Sequence, residues 1–244
     1  MQEAYGQFAA LYDPLMRDVD YDGWAAYLAS FLPARISVAD CACGTGEITL
    51  RLARSGFKMT GVDISASMLE IAAVKARKAG LAIPFIQQDM RGLAMHRPVG
   101  AVVCACDGVN YLNSKGAVLH FFQAAYMALE PGGILLFDVS SPYKLEHILG
   151  SNTFAEEEDG CAYIWHNNYD HTSRLLEMEL TFFQKEEGGL YRRFNENHIQ
   201  RAHSQDELLA NLQNAGFEAD IYDAFTNNTP GPQSERLQFV ARRV

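Results

Sequence analysis

The sequence predicts an α/β fold: a doubly wound, mostly parallel seven-stranded sheet with a small antiparallel β insertion after the fifth strand. Three observations predict it. An apolar run, Val38-Ala39-Asp40-Cys41, enters the turn Ala42-Cys43-Gly44-Thr45-Gly46, and a second run ends in Gly61-Val62-Asp63. From Val38 to about Asp138, short apolar runs alternate with helix-period segments, the pattern of βαβ units on a parallel sheet. Between about Pro142 and Ala202 the period changes to two, after which the α/β alternation resumes.

Each element has a local reason. Ser67-x-x-Glu70 reads as a capping box that opens a helix with Leu69, Ala72, Ala73 and Ala76 on one face and Gly80 at its end. Val118, Phe121, Phe122 and Ala125 repeat that spacing. Pro131-Gly132-Gly133 ends this helix, and Ile134-Leu135-Leu136-Phe137 then reads as a buried fifth strand. In the period-two segment, Leu176, Met178, Leu180 and Phe182 alternate with Glu177, Glu179 and Thr181. With turns at Asp170-His171-Thr172-Ser173 and Glu187-Gly188-Gly189, it predicts three antiparallel strands. Ser204-x-x-Glu207 caps a last helix ending at Gly216, and strands near Phe217 to Phe225 and Leu237 to Ala241 complete the sheet. The expected organisation is a helical cap over residues 1–35, a central domain of residues 36–141 and 203–244, and an antiparallel lid over 142–202.

Composition narrows the function. With 244 residues, 48% of them hydrophobic, the chain supports one large domain with an insertion. A formal charge of −10 opposes non-specific nucleic-acid binding, which depends on clustered Lys and Arg. No run approaches the ~18 apolar residues of a membrane span, and Met1-Gln2-Glu3-Ala4 lacks the basic start of a signal peptide, so a cytoplasmic protein is expected. Cys41/Cys43 and Cys104/Cys106 offer metal-like spacing, but alternation in apolar strands makes them core residues, and no metal is expected.

A glycine turn after one strand and an acid ending the next is an arrangement that binds a nucleoside. A pyrophosphate-binding turn prefers a third glycine, where this chain has Ile48-Thr49, and Glu47 puts the wrong charge sign at the helix start. A phosphate-free nucleoside fits better, and S-adenosylmethionine is one. These residues resemble the class I S-adenosylmethionine-dependent methyltransferases. Tyr5, Phe8, Ala9, Tyr12, Asp13, Leu15 and Met16 are similar to the start of a group of small bacterial methyltransferases, Tyr-x-x-Phe-Ala-x-x-Tyr-Asp-x-Leu-Met. Sugar-amine N-methyltransferases are a more distant likeness.

The resemblance implies a Rossmann-like methyltransferase fold and roles for particular residues. Asp40, Ala42, Cys43, Gly44 and Gly46 would hold the methionine end of the cofactor, with Tyr5 and Tyr12 nearby. Ala42 stands where glycine is usual, which is tolerable if its φ stays negative. Asp63 would take the ribose with Ile64 beside it. Met68, Gln88, Asp89 and Met90 would surround the adenine, and Arg91 reads as an ion-pairing residue. Cys106 and Asp107 lead to the reacting centre, where Asn110 and Tyr111 would meet the substrate. Tyr111 and His198 are the candidate catalytic residues, the latter as a neutral imidazole able to act as base, with His203 near it. The implied activity is in-line methyl transfer to a small-molecule acceptor, releasing S-adenosylhomocysteine. An RNA methyltransferase is the alternative, though Arg192-Arg193 and Arg242-Arg243 are small basic clusters. A non-catalytic S-adenosylmethionine-binding module is another.

Overall fold

In the computed structural model, which describes residues 9–158 and 160–244, two helices come first: α1 (Ala9–Leu15) and α2 (Tyr21–Ala29). The alternating region follows as β1 (Ser37–Cys41), α3 (Glu47–Arg54), β2 (Lys58–Asp63), α4 (Ala66–Lys78), β3 (Phe85–Gln87), β4 (Val99–Cys104), α5 (Ala117–Ala128) and β5 (Leu129–Ser140). The insertion contains β6 (Thr153–Glu158), β7 (Cys161–Asp170), β8 (Leu175–Lys185) and β9 (Tyr191–Arg201). The chain ends with α6 (Gln205–Ala215), β10 (Phe217–Asp223) and β11 (Arg236–Arg243).

The seven-stranded sheet has the order β10-β11-β5-β4-β1-β2-β3. Strands β1 to β5 pair in parallel, and β11 is antiparallel to both β5 and β10. Alternate residues divide between the two faces, as strand geometry requires. Ala39, Cys41, Val102, Cys104, Leu135 and Phe137 pack under α5 and α6, with Phe121, Phe122 and Leu208. Val38, Ala101, Val103 and Leu136 pack under α2 and α3, with Leu28 and Leu52. Phe137 and Phe239, opposite one another on β5 and β11, stack at 4.7 Å. Burying each such side chain contributes roughly 1.5–3 kcal/mol.

Two local expectations change. The cap of α4 is Ser65, whose Oγ accepts from the Met68 N–H at 3.3 Å, while Ser67 Oγ sits 2.9 Å from Ser65 Oγ. Asp63 Oδ1 accepts from the Ser65 N–H, so the helix starts one half-turn before the Ser67 signal. The insertion has four strands, in the order β6-β7-β8-β9. Sequence reading missed β6 because its end is the charged run Glu156-Glu157-Glu158, which lacks strand propensity and gains its place by pairing with β7. The predicted cap of α6 stands, with Ser204 Oγ accepting from the Glu207 N–H and Gly216 at φ +97°.

The inner face of the insertion packs beside the carboxyl ends of β2 and β5, against the start of α4 and the segment after β5. Tyr163, Phe182 and Phe194 pack with Met68 and Ala9, while Tyr169, Leu176 and Met178 pack with Leu145. One side chain ties the base of the insertion. Asn110 Nδ2 donates to the carbonyls of Ser140 (3.1 Å) and Arg201 (3.0 Å), and its Oδ1 accepts from the Ser140 N–H. No described helix is long and apolar enough to cross a membrane.

Candidate active site

The glycine turn and the acid after β2 are joined by backbone donors. Asp63 Oδ2 accepts from the Gly44 N–H and Oδ1 from the Ser65 N–H, each at 2.8 Å. Burial raises the pKa of Asp63 against these hydrogen bonds. Gly46 has φ +81°, and an added Cβ would lie 2.9 Å from Leu50 and 3.1 Å from Ala72. Gly44, at φ +52°, has nothing within 4 Å of such a Cβ, so its backbone is open to a ligand. Ala42 does not keep a negative φ. It sits at +54°, a left-handed conformation costing an alanine roughly 1–2 kcal/mol. Glu47 also differs from expectation, since its carboxylate pairs with Lys75 and Arg51, which neutralise the charge at the start of α3 and hold its pKa down against burial.

A cavity of about 280 Å³ opens beyond β2, β3 and β4, near the lower end of ligand-sized pockets, roughly 300–1,000 Å³. It is lined by Ala42, Asp63, Ile64, Gln88, Asp89, Met90, Arg91 and Tyr111, and by Leu112, Asn113, Ser114 and Ala117. Sequence reading gave no role to Asn113, Ser114 or Ala117. Their position after the fourth strand, at the carboxyl edge where such sheets bind ligands, was the available signal. Arg91 bonds Asp89 through its backbone N–H and guanidinium, which lowers the pKa of Asp89. The one cation in the lining is therefore already paired, while two carboxylates and the apolar Ile64, Met90, Leu112 and Ala117 face the space. That chemistry suits hydroxyls and a flat heterocycle and disfavours a phosphate.

Helix α1 closes over the turn from above. Asp13 accepts from Thr45 Oγ1 at 2.5 Å and from Lys75 Nζ at 2.7 Å. Tyr12 hydrogen-bonds Tyr21 and lies near Cys106 and Tyr111, and burial raises its pKa. His198 on β9 meets Tyr111 edge-on, with ring centroids 5.9 Å apart. Burial draws His198 down to about 4, which leaves it neutral and a weaker base than its free value suggests.

Other predicted residues have their polar groups engaged elsewhere. Asp40 lies below the turn, accepting from Thr49 Oγ1 at 2.5 Å, and burial pushes it up to about 7. Asp107 (φ +67°) turns toward β5, where it accepts from Arg236 and from Ser140 Oγ. Asp138 accepts from the N–H groups of Cys106 and Asp107 and pairs with the same Arg236. Burial raises Asp138 to about 6, with the Asp107 charge adding to it, whereas Arg236 outweighs burial at Asp107 and lowers its pKa. Asn110, expected at the substrate, is fully buried in its tie between Ser140 and Arg201. Met68 is buried against Phe182 and Ala9, and Cys43 and Cys106 are partly exposed free thiols held protonated by burial. Tyr5 and Phe8 lie outside the described residues. Arg236 and Asp138 carried no sequence signal.

Residues 38–133 match the family profile described as a methyltransferase domain. Over 98% of its length the chain is 39% identical to the putative methyltransferase YqeM of Bacillus subtilis, covering 97% of that protein. The crystal structure of an S-adenosylmethionine-dependent methyltransferase from Clostridium acetobutylicum superposes with a TM-score of 0.87 at 31% identity, covering 98% of each chain. The chain belongs to the S-adenosylmethionine-dependent methyltransferases. This methyltransferase shares its fold with Streptomyces venezuelae DesVI, at a TM-score of 0.81 and 24% identity over 97% of this chain and 98% of that one. It is also 25% identical to a dTDP-4-amino-2,3,4,6-tetradeoxy-D-glucose N,N-dimethyltransferase of Saccharopolyspora spinosa, over 100% of this chain and 98% of that protein. As a methyltransferase, the enzyme carries out S-adenosylmethionine-dependent methyl transfer.

Proposed function

We propose that this methyltransferase acts on a small-molecule acceptor held between Tyr111 and the inner face of the insertion, with the cofactor nucleoside in the cavity between Asp63 and Asp89. In this reading the Asp63 carboxylate, aligned by Gly44 and Ser65, has lone pairs left for ribose hydroxyls. Asp89 and Gln88 face the adenine, with Ile64 and Met90 on its apolar flanks. The open backbone at Gly44, with Asp40 below it, receives the methionine end under α1. Bound S-adenosylmethionine supplies a sulfonium methyl group and its leaving group.

The chain's contribution is alignment and exclusion of water. Fixing two reacting groups in line is worth roughly 7–11 kcal/mol. Tyr111 serves both requirements, because it lines the cavity and touches His198 of the insertion. That contact is the observation that carries the reading. A neutral, weakly basic His198 suits a nucleophile that is already unprotonated, such as a free amine, better than a hydroxyl that must lose its proton. Residues 142–202 act as the lid and residues 1–35 as the cap. The Tyr-Asp pair of the N-terminal motif has a physical basis in Tyr12 at the reacting centre and Asp13 on Thr45 and Lys75.

A screen for S-adenosylhomocysteine release across amine, hydroxyl, carboxylate and RNA substrates tests the proposal. Turnover is expected with a small amine and lost in Tyr111→Ala while S-adenosylhomocysteine still binds. Turnover confined to RNA would overturn it.

A further inference from the structure

The chemistry of the acceptor can be narrowed further, on the strength of the site just proposed. The sheet order puts β1, β2 and β3 on one side of β4, and β5, β11 and β10 on the other. The cavity belongs to the first side, since Asp63 ends β2 and Gln88 to Arg91 follow β3. In-line displacement brings the nucleophile from opposite the leaving group, so the acceptor enters over the ends of β4, β5 and β11.

The charged groups gathered there are Asp107 after β4, Asp138 in β5, Lys144 shortly after β5, Glu235 just before β11 and Arg236 at its start. Most are already satisfied. Arg236 spans Asp107 and Asp138, and those carboxylates also accept from Ser140 Oγ and from two backbone N–H groups. Glu235 is exposed. Lys144 is different. Among the described lysines only Lys75 and Lys144 are not exposed. Lys75 is paired with Asp13 and Glu47, whereas Lys144 forms no ion pair among the described residues. A part-buried ammonium with no carboxylate at ion-pair distance, only the more distant Asp107, Glu235 and Asp138, is costly to keep. Burial, and then the Arg236 charge, lower its pKa, with Asp107, Glu235 and Asp138 opposing.

We propose that Lys144 binds an anionic oxygen of the acceptor, a carboxylate or a phosphate, and so orients the acceptor's nucleophile toward Tyr111. The probes are inorganic phosphate and acetate, titrated calorimetrically into protein saturated with S-adenosylhomocysteine. One of them is expected to bind saturably, about tenfold or more weakly in Lys144→Met, as loss of a charge-assisted hydrogen bond predicts. Lys144→Arg should restore binding, and Lys185→Met, at the exposed end of β8, should leave it unchanged. Phosphate binding alone identifies a phosphorylated acceptor, and acetate binding alone identifies a carboxylate. Normal affinity for S-adenosylhomocysteine with no anion binding, or with anion binding indifferent to Lys144, overturns the proposal. Failure of S-adenosylhomocysteine to bind at all removes the cofactor-site reading beneath it.

Discussion

The two sides of β4 are built from different materials. On the β1–β3 side, contacts join groups close in sequence and rely on backbone donors: Asp63 with the N–H groups of Gly44 and Ser65, and Asp89 with Arg91. On the β5–β11 side, side chains reach other side chains or distant carbonyls across long stretches of chain. Asp107 and Arg236 are 129 residues apart, and Asn110 and Arg201 are 91 apart. A site made of backbone and near neighbours can be specified by a short motif. One made of distant side chains exists only once the whole sheet has formed.

The largest effect expected from breaking this contrast is at Arg236. Arg236→Met leaves Asp107 and Asp138 buried without their cation, which should cost about 3–5 kcal/mol in urea unfolding. The loss should shrink at acid pH, because Asp138, already raised to about 6, then takes up a proton. A loss under about 1 kcal/mol would mean this side does not depend on its ion network.

The pH response should separate the two sides by sign. Asp40, under the glycine turn, is pushed up to about 7 in the folded protein. The folded state therefore holds its proton longer than the unfolded chain, and this group's contribution to stability falls as pH rises from about 4 to 7. His203, buried where the insertion returns, is drawn down to about 4, so its contribution is lost as pH falls from about 6.5 through that value. Each effect is on the order of 3–4 kcal/mol across its window. The two windows overlap and the contributions oppose, so between about pH 4 and 7 Asp40→Asn should make stability rise more steeply with pH and His203→Gln less steeply, both measured by urea unfolding at stepped pH. The opposite signs would reverse the comparison.

Smaller effects fall on the cofactor side. Asp63→Ala should weaken S-adenosylhomocysteine binding about tenfold or more, as loss of charge-assisted hydrogen bonds predicts. Asp89→Ala should weaken it less, since Arg91 already occupies that carboxylate. Calorimetry on the folded variants ranks them, and equal affinities would misplace the ribose acid. The smallest change is a gain: Ala42→Gly relieves the strain at φ +54° and should stabilise the protein by about 0.5–1 kcal/mol in thermal unfolding.

The legibility of the chain follows the same division. The parallel strands were readable because burial on both faces leaves near-continuous apolar runs, and β8 because Leu176, Met178, Leu180 and Phe182 share one face and alternate with Glu177, Glu179 and Thr181 on the other. β6 was hidden by its glutamates, and the start of α4 was displaced because Ser65, bonded through its N–H to Asp63, forestalls the Ser67 box. Tyr111 and His198 each stood out in the sequence, but their contact depends on an antiparallel register that sets His198 opposite Met178 on the inner face. Asp107 and Asn110 read as ligand contacts in the sequence, and their partners within the fold, contributed by β5, β9 and β11, were not legible there.

Asn110 has a further consequence. Because one carboxamide grips the carbonyls of Ser140 and Arg201, the insertion leaves and re-enters the central sheet at nearly the same point. For a loop with fixed ends, each doubling of length adds only about 0.6 kcal/mol of closure entropy. Away from its packed inner face, the segment between those carbonyls is thus free to lengthen or shorten with little effect on the stability of the sheet below. The sheet can stay constant while the length of the segment above it varies, its two ends clasped by Asn110.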